Sequence, residues 1–87
     1  MTPEKLKILD GPDKPGLQWS LTKPGEYNVH FRVEGDAFDA QIVRMDECSD
    51  GFTFELRGQL TSGELKNRPF EAIYSIESRS GWMKIEN

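Results

Sequence analysis

Cysteine occurs once in this chain, as Cys48, and histidine once, as His30. One cysteine excludes an internal disulfide, so a chain of 87 residues must be held by its own core or by a partner. One cysteine and one histidine also exclude any Cys/His set with zinc-ligand spacing. Nucleophilic catalysis needs a nucleophile, a base and an orienting group in reach of one another. Nothing in the sequence brings His30 and Cys48 together. The eight glycines are scattered singly at turns, so there is no glycine-rich phosphate loop. These absences lead to the expectation of a non-enzyme without a cofactor.

An excess of basic residues is missing too. Eleven Lys and Arg face fifteen Asp and Glu, and the net charge is -4. That balance argues against phosphate-backbone binding as the main activity, and no nucleic-acid partner is expected. Long apolar runs are absent. A bilayer span needs roughly 20 consecutive apolar residues, and the mean hydropathy is -0.65. Residues 1–5 lack the apolar stretch of a signal peptide. The expectation is a soluble, cytoplasmic protein with no membrane partner, and the lone cysteine agrees with a reducing compartment.

Helical periodicity is scarce; alternation is abundant. Residues 5–9 suggest a first strand with an ambiguous pattern, and residues 1–13 are read as either a flexible lead-in or a short edge strand. Leu17, Trp19 and Leu21 share one face of a second run, and Tyr27, Val29, Phe31 and Val33 share one face of a third. Phe38, Ala40 and Ile42 follow, then Phe52, Phe54, Leu56 and Leu60, then Phe70, Ala72, Tyr74 and Ile76. Trp82-Met83-Lys84-Ile85 closes the chain, with its inward face undecided. Pro15-Gly16 and Pro24-Gly25 suit type II turns. Glu34-Gly35-Asp36, Ser49-Asp50-Gly51 and Ser80-Gly81 are further breaks, and residues 61–69 form the longest loop.

Parity tests the pairing, because a side chain keeps its face only in registers of the right parity. A two-residue loop at Glu34-Gly35 pairs Phe31 with Phe38 and Val29 with Ala40. A five-residue loop over 46–50 pairs Ile42 with Phe54 and Ala40 with Leu56. A nine-residue loop over 61–69 pairs Leu60 with Phe70 and Leu56 with Tyr74. All three hairpins agree on one buried face. Gly58 falls where a core residue is due, facing Ala72 and Phe38, and reads as a bulge or bend. The expected fold is all-β: one small domain over residues 1–87, with six or seven antiparallel strands in a mostly up-and-down meander closing as a small barrel. A two-sheet sandwich is the alternative.

The chain's main asymmetry is acidic. Residues 26–55 carry eight of the fifteen acids, offset only by Arg32 and Arg44. Parity places Asp39 opposite Arg57 on the outer face and leaves His30 beside Asp39 or Gln41. The surplus charge then gathers at two strand ends, Glu34 and Asp36 at one and Asp46, Glu47 and Asp50 at the other. The 46–51 segment has the opening of a calcium loop but fails it twice, with Cys48 at the third ligand position and Arg57 where a bidentate Glu is needed. Val43 and Met45, apolar on the outer face between the acidic ends, form the expected adhesive surface, with the carboxylates as its rim.

The expected function is a non-catalytic protein-interaction or accessory module, bound to a protein partner or to a second copy of itself. The alternative is a carrier holding a small apolar ligand inside the barrel, although small barrels fill with their own side chains. Mimicry of nucleic-acid phosphates by the carboxylates is a third idea, disfavoured by their placement at opposite ends. Trp82, beside Arg79 and Lys84, is read as a core or barrel-end residue rather than as a stacking platform.

Overall fold

The computed structural model describes residues 5–23 and 25–86. Six antiparallel strands close into a barrel in sequence order. They are β1 (Lys5–Asp10), β2 (Val29–Val33), β3 (Asp36–Glu47), β4 (Thr53–Leu60), β5 (Pro69–Ser75) and β6 (Ser80–Ile85). Closure comes from β1, which pairs with β2 on one side and β6 on the other. The chain start is therefore neither loose nor an edge over these residues. A closed barrel exposes no strand edge for chance pairing.

Between β1 and β2 the chain forms one helix, α1 (Lys14–Thr22), where alternation predicts a strand around Leu17, Trp19 and Leu21 and a type II turn at Pro15-Gly16. Three local signals explain the correction. The Asp13 carboxylate accepts from the Gly16 N–H at 2.7 Å, capping the helix start. Pro15 sits in the first turn, where it costs no hydrogen bond. Finally, Gly16, Leu17 and Ser20 are buried and Leu21 packs against the core, a helical spacing that the three-residue alternation conceals. Trp19 points outward instead. The second Pro-Gly turn behaves as expected at Gly25, whose φ is +85°; Pro24 lies outside the described residues.

The β2–β3 hairpin has the expected register, with Phe31 opposite Phe38 and Val29 opposite Ala40. Between β3 and β4, Ala40 faces Leu60 rather than Leu56. Between β4 and β5, Phe70 faces Gly58 rather than Leu60. Both slips are even, so the inward set survives. Gly58 thus lies opposite Ile42 and Phe70, not Phe38 and Ala72. The expected bulge sits directly across from it, on β3, where the register shifts between Ile42 and Arg44. A side chain at position 58 would run into the Gln41 carbonyl, so glycine is what allows β3 and β4 to approach at the bulge.

Val29, Phe31, Val33, Phe38, Ala40, Ile42, Phe54, Leu56, Leu60, Phe70, Ala72 and Tyr74 are all buried, as their parity requires. Leu17 of α1 joins them. Tyr27 and Phe52, expected inward, lie beyond the strand ends and are exposed. At the centre, the Phe31 ring meets Phe70 edge-on at 6.1 Å and Tyr74 at 5.8 Å. These rings pack edge to face inside the barrel.

The Tyr74 hydroxyl donates to the Pro12 carbonyl at 2.8 Å, tying the barrel wall to the loop that leads into α1. Burial pushes this phenol up to about 12, with the Arg79 charge opposing the shift and Asp10 and Asp13 adding to it. The folded value exceeds the ordinary one, so the protonated phenol stabilises the fold fully below about pH 10 and this contribution is lost as pH rises through about 12. Tyrosinate absorbance should therefore show one hydroxyl ionising near 12, accompanied by loss of near-UV circular dichroism, and Tyr74→Phe should remove that step.

Candidate outer-face groove

The acidic ends are placed as expected, and the carboxylates of Asp36, Asp46, Glu47 and Asp50 are already engaged. Glu34 and Asp36 flank the tight turn at Gly35, whose φ is +82°. At the other end Asp46 accepts from Arg44 at 2.9 Å and Glu47 pairs with Lys14 at 3.1 Å. Asp50 holds its own turn. Its carboxylate accepts from the Phe52 and Thr53 N–H groups at 2.9 and 2.8 Å and from the Thr53 hydroxyl at 2.6 Å. The Thr53 hydroxyl, followed by those two N–H groups, holds its pKa below the usual carboxylate value. This is a turn cap, and it explains why the segment resembles a cation loop in sequence. Among the described residues, no group of three or more His, Cys, Asp and Glu could hold a metal ion. Desolvation raises the Cys48 pKa, and Glu55, Asp50 and Asp46 raise it further, so the thiol stays protonated at neutral pH.

The Val43–Met45 surface is not assembled. Val43 is exposed, at 63% of its full area. The bulge beside it turns Met45 inward, opposite Leu56 and packed against the core. One odd shift in the ladder thus divides two residues that simple alternation places together. Asp39 also does not meet Arg57. It pairs with His30 at 2.8 Å, cross-strand on β2 and β3, while Arg57 reaches Glu71 on β5 at 3.1 Å. His30 and Cys48 are not brought together. The eight residues 40–47 of β3 separate Asp39, the partner of His30, from Cys48, a path of roughly 30 Å at the usual strand rise.

A different face carries the exposed apolar surface. Trp82 on β6 stands directly opposite Ile73 on β5, and both point outward at 51% and 53% of full exposure. The same parity that sends Met83 into the core sends Trp82 out of it, so of the reading of Trp82 as a core or barrel-end residue the core part does not hold. Ile73 alternates in the same way with the buried Ala72 and Tyr74. The two side chains help line a groove of about 510 Å³ over β1, β6, β5, β4 and β3.

Two lateral rows of side chains form its floor. One row runs Lys5, Lys84, Glu71, Arg57, Arg44, each opposite the next on the neighbouring strand. Four cations and one carboxylate thus stand side by side on a chain whose net charge is -4. The next row runs Lys7, Trp82, Ile73, Glu55, Asp46. Lys5 against Lys84, and Arg57 against Arg44, are like charges directly opposed, an arrangement that costs a sheet stability. Glu71 and Asp46 offset the arginine pair through their ion pairs. Neither Lys5 nor Lys84 has an ion-pair partner among the described residues.

None of this is readable from spacing alone. The five members of the cationic row come from five different strands, and the row needs both barrel closure and the bulged β3–β4 register to form. The usable signal is Trp82 itself, in phase with Lys84 and out of phase with Met83. No protein-family model, curated protein or solved structure matches the chain.

Proposed function

We propose that this protein is a non-catalytic interaction module, and that the outer face of β1, β6, β5 and β4 is where a partner protein docks. The observation that carries this reading is the Trp82–Ile73 pair. Two large apolar side chains lie opposite one another on a groove floor, half-exposed, beside a core complete without them. Tryptophan ringed by charged side chains is the composition of an interface anchor. The groove replaces Val43 and Met45 as the favoured surface because Met45 turns inward and packs against the core.

A cytoplasmic setting goes with this reading, supported by a lone free thiol at Cys48. No helix among the described residues is long and apolar enough to cross a membrane.

A photo-reactive residue at position 73, with a second version at position 43 as control, tests the proposal in the native cell. The expected outcome is a discrete protein adduct from position 73 that is missing from position 43. Equal labelling at both positions, or adducts only with copies of the chain through position 43, would overturn it.

A further inference from the structure

The chemistry of the groove narrows the partner. This step rests on the docking face proposed above. Lys5, Lys84, Arg57 and Arg44 line up across four strands, with Glu71 the only carboxylate among them. The row spans five neighbouring strands, or roughly 20 Å at the usual spacing. One step further along each strand lies the apolar pair, Trp82 and Ile73. One step beyond that stand Ser80 and Ser75, uncharged and directly opposed. Along β6 the outer face therefore reads cationic, apolar, hydroxyl, through Lys84, Trp82 and Ser80, while β5 beside it offers Glu71, Ile73 and Ser75.

Successive outward residues of a strand are about 6.7 Å apart, because the rise is about 3.3–3.4 Å per residue. An extended peptide has the same repeat on each of its own faces. A peptide lying over β5 and β6, parallel to them, therefore sets every second side chain over one row. A carboxylate at one position meets the Lys84 row, a large aliphatic two positions on meets Trp82 and Ile73, and a small polar residue meets the serines. We infer that the groove takes an extended acidic segment of a partner protein, in which Asp or Glu is followed two residues later by Leu, Ile or Val.

Charge complementarity supports this occupant. Lys5 and Lys84 face each other with no counter-ion among the described residues, and an incoming carboxylate relieves that repulsion. A single-stranded nucleic acid would also seek the cations and stack on Trp82. It fits less well, because its unbroken phosphate chain would run past Glu55 and Asp46 on the apolar row and over a protein of net charge -4. A peptide can place its charge at one row and none at the next. A second copy of this chain would have to offer such a segment in strand form, and the acids of residues 26–55 stand at turns or within the barrel wall.

The test is a titration of the ¹⁵N-labelled protein with a ten-residue peptide built on Glu-x-Leu-x-Ser, followed by amide and indole chemical shifts. A peptide with Lys replacing Glu and a ten-nucleotide single-stranded DNA serve as comparison probes. The expected result is saturable shifts at Lys5, Arg57, Ile73, Lys84 and the Trp82 indole, and none at Val43. Affinity should fall at least tenfold in Lys84→Glu and on raising NaCl from 50 to 500 mM. Lys5→Glu gives the same reading should Lys84→Glu fold poorly, and either variant should gain binding to the Lys peptide. Equal binding of the Glu and Lys peptides, indifference to both charge reversals, or tighter binding of the DNA at this face would each overturn the inference. Should the photo-reactive residue at position 73 capture a protein while the acidic peptide fails to bind, the docking face stands and the partner chemistry is refuted. Should both fail, the two readings fall together.

Discussion

Gly58→Ala should destabilise the barrel by roughly 3 kcal/mol or more, a loss at the upper end of what overpacking produces. The backbone at Gly58 has an ordinary negative φ, so the penalty does not come from conformational strain. It comes from space. A Cβ at position 58 would collide with the Gln41 carbonyl oxygen and lie 2.9 Å from its carbonyl carbon and 3.1 Å from Ile42 Cα. Those atoms are backbone, beside the bulge that bends β3, and cannot turn aside as a flexible side chain could. Relief requires β3 and β4 to separate where Ile42 and Phe70 flank the glycine, opening the core. For a domain of this size the melting temperature should fall on the order of 15 °C. Gly63→Ala provides the contrast. Gly63 has φ +77°, and a Cβ added there would meet nothing within 4 Å, so its cost is conformational only and should stay at about 1 kcal/mol. Equal losses at the two sites would remove the close-approach explanation.

Ser20→Ala should cost about 1–3 kcal/mol, the penalty for leaving a buried donor unpaired. Ser20 is fully buried in α1, and its hydroxyl oxygen accepts from the Ile42 N–H at 2.9 Å. Ile42 borders the β3 bulge, where the ladder shifts. The helix therefore supplies the acceptor for a strand amide at an irregularity, which couples α1 to β3 more specifically than apolar contact alone. Amide exchange at Ile42 measures it directly. Protection there should drop in Ser20→Ala more than at Phe54 or Tyr74, which lie on other strands. Uniform loss across the barrel would mean the hydroxyl contributes only generic stability.

These two sites also mark where sequence and structure part. Alternation yields the β2–β3 faces because a short loop at Glu34-Gly35 or at Gly35-Asp36 gives the same parity, and the first of these is the one the strands adopt. It yields the inward face of β4 and β5 despite slipping their partners, since even slips keep parity. Two features defeat it. The bulge at Val43 and Arg44 is a property of paired backbones, and its sequence trace, Gly58, lies on the other strand. Helix α1 is hidden because Leu17, Trp19 and Leu21 satisfy period two over a span too short to separate from period 3.6. Asp13 followed by Pro15 is the decisive cue, and it is a capping signal rather than a hydrophobic one. The candidate site is less legible than the fold. Its cations are far apart in the chain and meet only after β1 closes on β6.

The acidic character of residues 26–55 takes a different meaning beside the groove. Turn capping by Asp50, the His30 contact of Asp39 and the ion pairs of Asp46 and Glu47 engage much of that charge locally. The charge arrangement on which the proposed docking rests is the cationic row running from β1 to β3 across β6, β5 and β4. On the proposed reading, an acidic protein offers a local cationic row to a short acidic segment, and its overall charge would disfavour nucleic acids there.

If Trp82 and Ile73 serve an encounter rather than the fold, removing both should leave the barrel nearly as stable as before. Urea unfolding of the double variant Trp82→Ala/Ile73→Ala tests this without knowledge of the partner. Half-exposed residues outside the core should cost little beyond their cross-strand contact, so the expected loss is about 1 kcal/mol or less with an unchanged unfolding slope. A loss of about 3 kcal/mol or more, the size that follows truncation of a buried aromatic, would show that the pair belongs to the fold and would contradict the docking face.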